Sequence, residues 1–258
     1  VWHKQKINIW RLSIVIKYFV SVLSALTLFA SAALSHEVVE VKNGATLKGV
    51  VKFKGAVPSD ESVAIEKNAE VCGKKQKLNK YIISDSRIKN VVVFIDEPKK
   101  GKPIPENTVV DITINKCRIE PLVSVGFVGG SFALKNDDDI LHTLQLKLWL
   151  EHQQKVSGRP LKDGATIYNI AFPHKGKKIV KPIRGYHKYQ QDTGVIRVAS
   201  SSHPWMKGYV FVFDHPYATV TDEKGSFVMD NLLPGEYILK TWHEGFGFQE
   251  KKIRLSTN

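Results

Sequence analysis

The sequence predicts an all-β protein built from sandwiches of short strands. Three observations lead to this class. Apolar residues alternate with polar ones in short runs, turn-forming residues separate these runs, and helical periodicity is scarce after the first 35 residues. With 258 residues, 43% of them hydrophobic, the chain is long enough for one large or two small domains with ordinary cores.

Each predicted strand is a run of alternating or continuous apolar residues, and turn residues at 222–225 and 233–235 bound the last ones. Residues 142–152 are either a strand that continues into a loop or a short helix. Residues 153–164 and 173–192 are polar or contain Gly and Pro, so we expect surface loops there. The clearest predicted strands are 46–53, 91–95, 109–114, 132–136, 194–198, 208–213 and 236–242.

The first 35 residues have the pattern of a secretory signal peptide. Four basic residues between positions 4 and 17 precede an uncharged apolar run at 18–34 that ends in small residues. An uncleaved anchor is the alternative, and it would be the chain's one link to a membrane. Removal of residues 1–35 lowers the formal net charge from +13 to +9, since the segment has no acidic residue. We therefore expect a periplasmic or otherwise exported protein.

Cys72 and Cys117 are the only cysteines, and both follow the signal segment. An even pair in an oxidising compartment usually forms a disulfide. The bond would close a loop of about 45 residues and restrict the unfolded chain by a few kcal/mol. A metal pair is less favoured, because no histidine clusters near either cysteine in the sequence. The sequence predicts a structural disulfide.

Ser200, His203 and Met206 have the spacing of a copper-binding loop. Blue-copper sites use two imidazoles and one cysteine thiolate, with a weak methionine on the axis. The tightest form of their loop reads Cys-x-x-His-x-x-Met, and this chain has Ser200 at the cysteine position. His142 would supply the upstream imidazole. A serine hydroxyl keeps its proton at neutral pH, so the blue-copper electronic structure is excluded.

His142, His203 and Met206 are therefore a candidate copper site that suits Cu(I), with Ser200 as a weak fourth group or a hydrogen-bonding bystander. The acidic run at 137–139 would favour a cation electrostatically. The alternative is a vestigial site in which the methionine only fills the core.

His215 and His243 form a second candidate site, since each begins a turn after an aromatic strand. The alternative for both is a histidine whose ring caps a turn by bonding to backbone.

Two parts of the chain resemble known families. Residues 85–206 resemble a cupredoxin, the plastocyanin-like β-sandwich, on the segments 123–126, 132–136, the loop at 142 and 200–206. Residues 207–258, with the strand at 45–55, resemble the transthyretin-like regulatory domain of carboxypeptidases on the segments 220–227 and 233–239.

The combination resembles exported bacterial proteins of the methylamine-utilisation-like or carboxypeptidase regulatory-like kind. Two departures matter: Ser200 replaces the cysteine of typical members, and Leu122 stands where many have histidine. The recurring segments that match are 71–73, 90–94, 203–206, 214–217 and 242–244. The expected organisation is a signal peptide at 1–35, an N-terminal strand and disulfide-bearing segment at 36–84, a cupredoxin-like domain at 85–206 and a carboxypeptidase regulatory-like region at 207–258.

Two functions follow from these patterns. The first is an exported copper-binding protein with a degenerate cupredoxin site, used for storage, delivery or slow redox chemistry. The second is a metal-free structural or interaction module of an envelope complex. Either would meet an envelope or redox partner rather than nucleic acid. We expect no enzyme, because the sequence has no Gly-x-Ser-x-Gly elbow, no helical His-x-x-x-His and no glycine-rich phosphate loop.

Overall fold

The computed structural model describes residues 36–149, 164–185 and 194–256, and within them nearly all of the regular secondary structure is β-strand. The predicted signal segment and much of the predicted loops lie outside these residues. Among the described residues, no helix has the length and apolar character needed to cross a bilayer.

The elements follow in chain order. The first half contains β1 (Glu37–Val38), β2 (Ala45–Val50), β3 (Ser62–Ala64), α1 (Ala69–Cys72), β4 (Lys75–Lys77), β5 (Ile83–Ser84), β6 (Arg87–Ile88), β7 (Val92–Ile95), β8 (Lys100–Gly101), β9 (Val109–Asn115), β10 (Arg118–Glu120) and β11 (Val123–Phe127). The second half contains β12 (Ser131–Asn136), β13 (His142–Leu148), β14 (Thr166–Phe172), β15 (Lys178–Pro182), β16 (Gly194–Ala199), β17 (Lys207–Phe213), β18 (Ala218–Val220), β19 (Ser226–Leu232), β20 (Gly235–His243) and β21 (Gly247–Leu255).

Two mixed sheets form the first sandwich. One has the strand order β10-β9-β12-β15 and the other β11-β17-β16-β13-β14. Alternate residues of each sheet meet in one apolar core, which includes Ile114 and Leu134 from the first sheet and Leu144, Leu146 and Val210 from the second. This is the first of the two β-sandwiches that the sequence predicts.

A second sandwich pairs the sheet β18-β7-β20-β21 with the two-stranded sheet β19-β2. Its core includes Val93 and Ile95 from β7 and Phe227 and Met229 from β19. The prediction of an all-β chain with two combined sandwiches is confirmed.

Strands β7 and β17 are buried on both faces, which joins the two sandwiches. Phe94 of β7 and Phe211 of β17 meet in a third apolar cluster, while Val93 and Val210 point to the opposite sides of their sheets. A strand buried on both faces reads as a continuous apolar run. This burial accounts for the unbroken apolar runs of β7 and of β17 from Tyr209 onwards.

The sheets divide the chain differently from the predicted ranges 85–206 and 207–258. Strand β7 lies within the first range but pairs with β18 and β20 of the second sandwich. Strand β17 lies within the second range but pairs with β11 and β16 of the first. Neither β7 nor β17 has a polar face that would indicate which sheet it joins. The sequence therefore did not predict the pairing partners of these two strands.

The structure settles one open prediction, at 142–152, and corrects another, at 173–192. Residues 142–148 form a strand, which decides the ambiguous run in favour of β. The prediction of a loop over 173–192 was wrong at β15, which pairs with β12. β15 is an edge strand with half of its residues exposed and with a proline, Pro182, at its end, so it lacks the apolar alternation of a central strand.

Candidate metal centre

His142 and His203 meet inside the first sandwich. Strands β13 and β16 are antiparallel neighbours with Gln145 opposite Ala199, so the start of β13 lies beside the loop that follows β16. Neither histidine has any exposed surface, and their ring centroids lie 4.7 Å apart. The structure thus brings together two residues that are 61 positions apart in the chain.

Asp138 fixes the tautomer of His142. The Nε2 atom of His142 lies 2.9 Å from Oδ2 of Asp138, and because a carboxylate oxygen accepts, Nε2 is the nitrogen that donates. The same carboxylate accepts the backbone N–H groups of Lys116 at 2.6 Å and Cys117 at 2.7 Å. The other ring nitrogen, Nδ1 of His142, is buried and has no hydrogen-bond partner. Its lone pair is therefore free.

Asn68 fixes the tautomer of His203. Nε2 of His203 lies 3.2 Å from the amide oxygen Oδ1 of Asn68, which only accepts, so Nε2 again carries the proton. Nδ1 of His203 is buried without a partner. Asn68 precedes α1 with a φ of 59°, a left-handed conformation that asparagine tolerates better than most residues. The result is a pair of buried imidazoles with two free Nδ1 lone pairs.

Burial keeps both imidazoles neutral at pH 7. Burial, with smaller contributions from the neighbouring His142 and Lys67, lowers the pKa of His203 to about 4. Burial also lowers the pKa of His142, against the opposing effect of Asp138. A neutral imidazole is the form that binds metal ions.

The loop from Ser200 to Met206 is held by its own hydrogen bonds. Oγ of Ser200 accepts the backbone N–H of His203 at 3.3 Å, and the N–H of Met206 donates to the carbonyl of His203 at 2.9 Å. Trp205 is half-buried and donates from Nε1 to the carbonyl of Cys117 at 3.1 Å. Ser200 thus acts as the predicted hydrogen-bonding group of the loop.

Met206 is 2% exposed and belongs to the apolar core of the first sandwich. It also lines a cleft of about 600 Å³, together with Cys117, Leu122, Trp205 and Lys207. Met206 therefore lies between the apolar core and the cleft.

The predicted disulfide between Cys72 and Cys117 is confirmed, with Cα atoms 5.0 Å apart. No histidine lies near either cysteine in the sequence, but two histidines lie near them in space. Both Sγ atoms and a ring nitrogen of His203 lie within 4.8 Å of one another. The Sγ atom of Cys117, a carboxylate oxygen of Asp138 and a ring nitrogen of His142 form a second such group. All five side chains are buried.

Tertiary folding creates this proximity, which sequence spacing does not show. Cys72 is the last residue of helix α1, which begins directly after Asn68. Cys117 lies in the tight turn between β9 and β10, with a φ of 53°. Sequence reasoning missed Asn68 altogether and treated Asp138 as one of three generic acidic residues. In the sequence, only its position four residues before His142 links Asp138 to that histidine, and the chain has few helices in which such a spacing would bring two side chains together.

His215 and His243 do not form the second candidate site. Ala218 of β18 pairs with Phe94 and Trp242 of β20 pairs with Val92, so the register carries the two histidines towards opposite ends of β7. Each caps a turn instead. Nδ1 of His215 accepts the N–H of Tyr217 at 3.2 Å, and Nδ1 of His243 accepts the N–H of Gly245 at 3.1 Å.

Comparison with known proteins finds partial likenesses. Residues 214–258 match the family described as BOS complex subunit NOMO1-like, second beta sandwich domain. No curated protein sequence matches the chain. Amicyanin from Paracoccus versutus is 16% identical over 43% of this chain and 85% of its own, with a TM-score of 0.29. A purple cupredoxin from Nitrosopumilus maritimus is 20% identical over 40% of this chain and 99% of its own, with a TM-score of 0.27.

A copper-containing nitrite reductase from Thermus scotoductus SA-01 is 15% identical over 43% of this chain, with a TM-score of 0.28. The matched part spans only 24% of that enzyme. The strand orders define two joined β-sandwiches, and the buried histidine pair lies in the first of them.

Proposed function

We propose that this chain is an exported copper-binding protein that holds Cu(I) between Nδ1 of His142 and Nδ1 of His203, with Met206 as a soft third group. One observation carries the proposal. Both imidazoles are fully buried, both are fixed by acceptors at Nε2, and both Nδ1 atoms lack a partner. Buried polar atoms are nearly always hydrogen-bonded, so a pair of orphaned lone pairs on adjacent rings calls for a ligand.

The available donors fit Cu(I) better than Cu(II). Two neutral imidazoles and a thioether are soft or borderline ligands that carry no charge. Ser200 contributes no thiolate, and its hydroxyl is engaged by the amide of His203. Copper bound here would supply one-electron chemistry without the blue-copper thiolate, which suits storage, delivery or slow electron transfer.

The surrounding residues position the rings and exclude water. Asp138 and Asn68 hold Nε2 of the two histidines, a carboxylate or amide contact of the kind that orients metal-bound imidazoles. Trp205 packs edge-on against His203, with ring centroids 5.2 Å apart. The role proposed for the chain is therefore binding, and no catalytic residue is assigned.

Export is part of the proposal. The disulfide is typical of proteins from oxidising compartments, and the first 35 residues read as a secretory signal. A copper site outside the cytoplasm would exchange its metal or its electron with an envelope or redox partner, and the cleft beside Met206 offers the approach.

Anaerobic titration with Cu(I) against a competing chelator tests the proposal. We expect one copper per chain, bound at micromolar or tighter affinity, and loss of that binding in His142→Ala and His203→Ala. His174→Ala is the matched control, since His174 is exposed. Absent binding, or binding that both variants leave unchanged, would support the metal-free structural module instead.

A further inference from the structure

Position 200 supplies no sulfur, but the disulfide between Cys72 and Cys117 brings two sulfur atoms close to the candidate site. In place of a loop cysteine, the bridged sulfurs of Cys72 and Cys117 lie within 4.8 Å of a ring nitrogen of His203, and the sulfur of Cys117 lies within the same distance of a ring nitrogen of His142. The Sγ atom of Cys117 belongs to both groups of ligand atoms that lie within 4.8 Å of one another, one with His203 and one with His142. Sγ of Cys117 thus lies near both imidazoles, and Sγ of Cys72 lies near that of His203. The four buried side chains come from the end of helix α1, two turns and the start of β13.

We propose that Cys72, Cys117, His142 and His203 form a redox-gated metal site, which binds a d¹⁰ cation, Zn²⁺ or Cu(I), tightly when the disulfide is reduced. The proposal rests on the proposed function in using the same two histidines. It differs in its sulfur ligands and in making the affinity depend on the state of the cysteines.

The two states differ in the charge and donor strength of sulfur. In the oxidised protein the bridged sulfurs are neutral and weak donors, so a cation meets only imidazoles and Met206. Reduction and deprotonation supply two thiolates, and a set of two sulfurs and two nitrogens is a preferred tetrahedral set for Zn²⁺ and also suits Cu(I). Two thiolates also compensate the charge of the buried cation, which two imidazoles do not.

The chemical step is balanced by a dithiol reductant. The reductant is oxidised to its own disulfide, and its two electrons and two protons convert the Cys72–Cys117 bond into two thiols. Metal binding then releases the two thiol protons to solvent, and each sulfur bonds to the metal. In the reverse step a disulfide oxidant takes the two electrons, is itself reduced to two thiolates, and the Cys72–Cys117 bond re-forms as the cation leaves.

The distances leave room for such a site. Zn–S bonds of about 2.3 Å and Zn–N bonds of about 2.0 Å place tetrahedral ligand atoms roughly 3.3–3.8 Å apart. The sulfur and ring nitrogen atoms already lie within 4.8 Å of one another in each group. Breaking the sulfur–sulfur bond lets the sulfurs separate to that spacing by side-chain rotation, because their backbones approach within 5.0 Å between Cα atoms.

The test compares the oxidised full chain with the same chain reduced by a dithiol, which is then removed under nitrogen. Zn²⁺ and Cu(I) are titrated separately against competing chelators, and Co²⁺ serves as a spectroscopic substitute for Zn²⁺. We expect reduction to tighten the binding of at least one ion by more than about 100-fold. That threshold exceeds the effect of a residue that only orients a metal ligand, so it indicates that the thiolates bind the metal directly. We also expect a thiolate-to-cobalt charge-transfer band in the reduced form alone.

Variants assign the ligands. In the reduced form, Cys72→Ser, Cys117→Ser, His142→Ala and His203→Ala should each weaken binding, and His174→Ala should not. If the reduced protein loses its near-ultraviolet circular dichroism, Zn²⁺ or Cu(I) should restore it, because a ligand that binds only the folded state stabilises that state. Failure of both ions to restore it overturns the proposal.

The outcomes separate the two proposals. Histidine-dependent Cu(I) binding that is equal in the oxidised and reduced forms overturns the gated site and leaves the proposed function standing. Tight binding in the reduced form that survives loss of both histidines is thiol chelation alone, and it also overturns the gated site. Binding that appears only after reduction and needs both residue types supports the gate while rejecting a Cu(I) site in the oxidised protein.

Discussion

Asp138 accepts a hydrogen bond of 2.9 Å from Nε2 of His142 while its two oxygens also accept the backbone amides of Lys116 and Cys117. One buried carboxylate therefore links the histidine at the start of β13 to the turn that carries the disulfide. The position of the ring and the position of the sulfur are set by the same side chain.

Replacement Asp138→Asn should weaken both metal binding and stability. An amide keeps one acceptor oxygen and gains a donor, so at least one of the three groups that now bond to the carboxylate loses its acceptor. We expect Cu(I) affinity to fall about 10- to 100-fold. The free energy of unfolding should fall by about 1–3 kcal/mol, the cost of a buried donor left unsatisfied. Chelator competition and urea unfolding measure the two effects.

Asp139→Asn is the control for this variant, since Asp139 is adjacent in sequence but exposed. It removes the same charge without touching His142. Equal losses of affinity in the two variants would show that general electrostatic attraction, and not the contact with Nε2, supports the metal.

Replacement Ser200→Cys should restore an intense visible charge-transfer band with Cu(II). The hydroxyl of Ser200 already accepts the amide of His203, so a thiolate in its place completes the set of two imidazoles and one sulfur. Absorption of the copper-loaded variant measures the effect. Ser201→Cys provides the control, because Ser201 is exposed in the same loop. A colourless Ser200→Cys protein would show that position 200 does not face the metal.

The sequence was most informative where a strand has one buried face or where a motif is local. The alternation in β9 and β13 and the His-x-x-Met spacing are such cases, and the all-β class followed from them. Strands β7 and β17 carry no alternation because both faces are buried, so their sheets depended on tertiary pairing. The edge strand β15 was missed for the opposite reason, since half of it faces solvent.

The candidate site shows the same division. His142 and His203 were recognisable from a spacing pattern, whereas Asn68 and the sulfur of Cys117 reach the site through turns with left-handed backbone. Such turns reverse the chain within a few residues, and sequence distance then says little about spatial distance. For this reason, sequence motifs could not predict that the disulfide lies close to the imidazoles.

Buried His215 should make the protein sensitive to acid. Burial lowers its pKa from 6.5 to about 3, with a smaller contribution from His36. Below pH 6.5 the unfolded chain therefore binds a proton that the folded chain does not accept until about pH 3. The free energy of unfolding should fall as the pH is lowered through this window, by at most about 1.4 kcal/mol per pH unit for this one group.

His215→Asn isolates that contribution. The amide oxygen can still accept the N–H of Tyr217, which Nδ1 now accepts at 3.2 Å, but the side chain does not titrate. Urea unfolding at several pH values between 4 and 7 should give a shallower pH dependence for the variant than for the wild type. The exposed His174→Asn should follow the wild type. Parallel curves for wild type and His215→Asn would contradict the assignment.

Trp242 should be the side chain on which the joining of the two sandwiches depends most. It is 2% exposed, and its ring lies 4.8 Å from Phe211, 5.1 Å from Tyr209 and 5.8 Å from Trp149 between centroids. Trp242→Ala removes the centre of this layer, and the free energy of unfolding should fall by about 3–5 kcal/mol. Urea unfolding followed by circular dichroism measures the loss.

The layer lies on the face of the five-stranded sheet opposite to the histidines, so the same variant separates stability from metal binding. Tyr209 and Phe211 point towards Trp242, while Val210 of the same strand points into the core that contains Met206. We therefore expect Trp242→Ala to keep its Cu(I) affinity under conditions in which it remains folded. Val228→Ala, at a residue 60% exposed on β19, should change stability by less than about 0.5 kcal/mol. A small loss of unfolding free energy in Trp242→Ala would mean that the two sandwiches hold together without this aromatic layer. A loss of copper binding at full stability would mean that the layer shapes the site across the sheet.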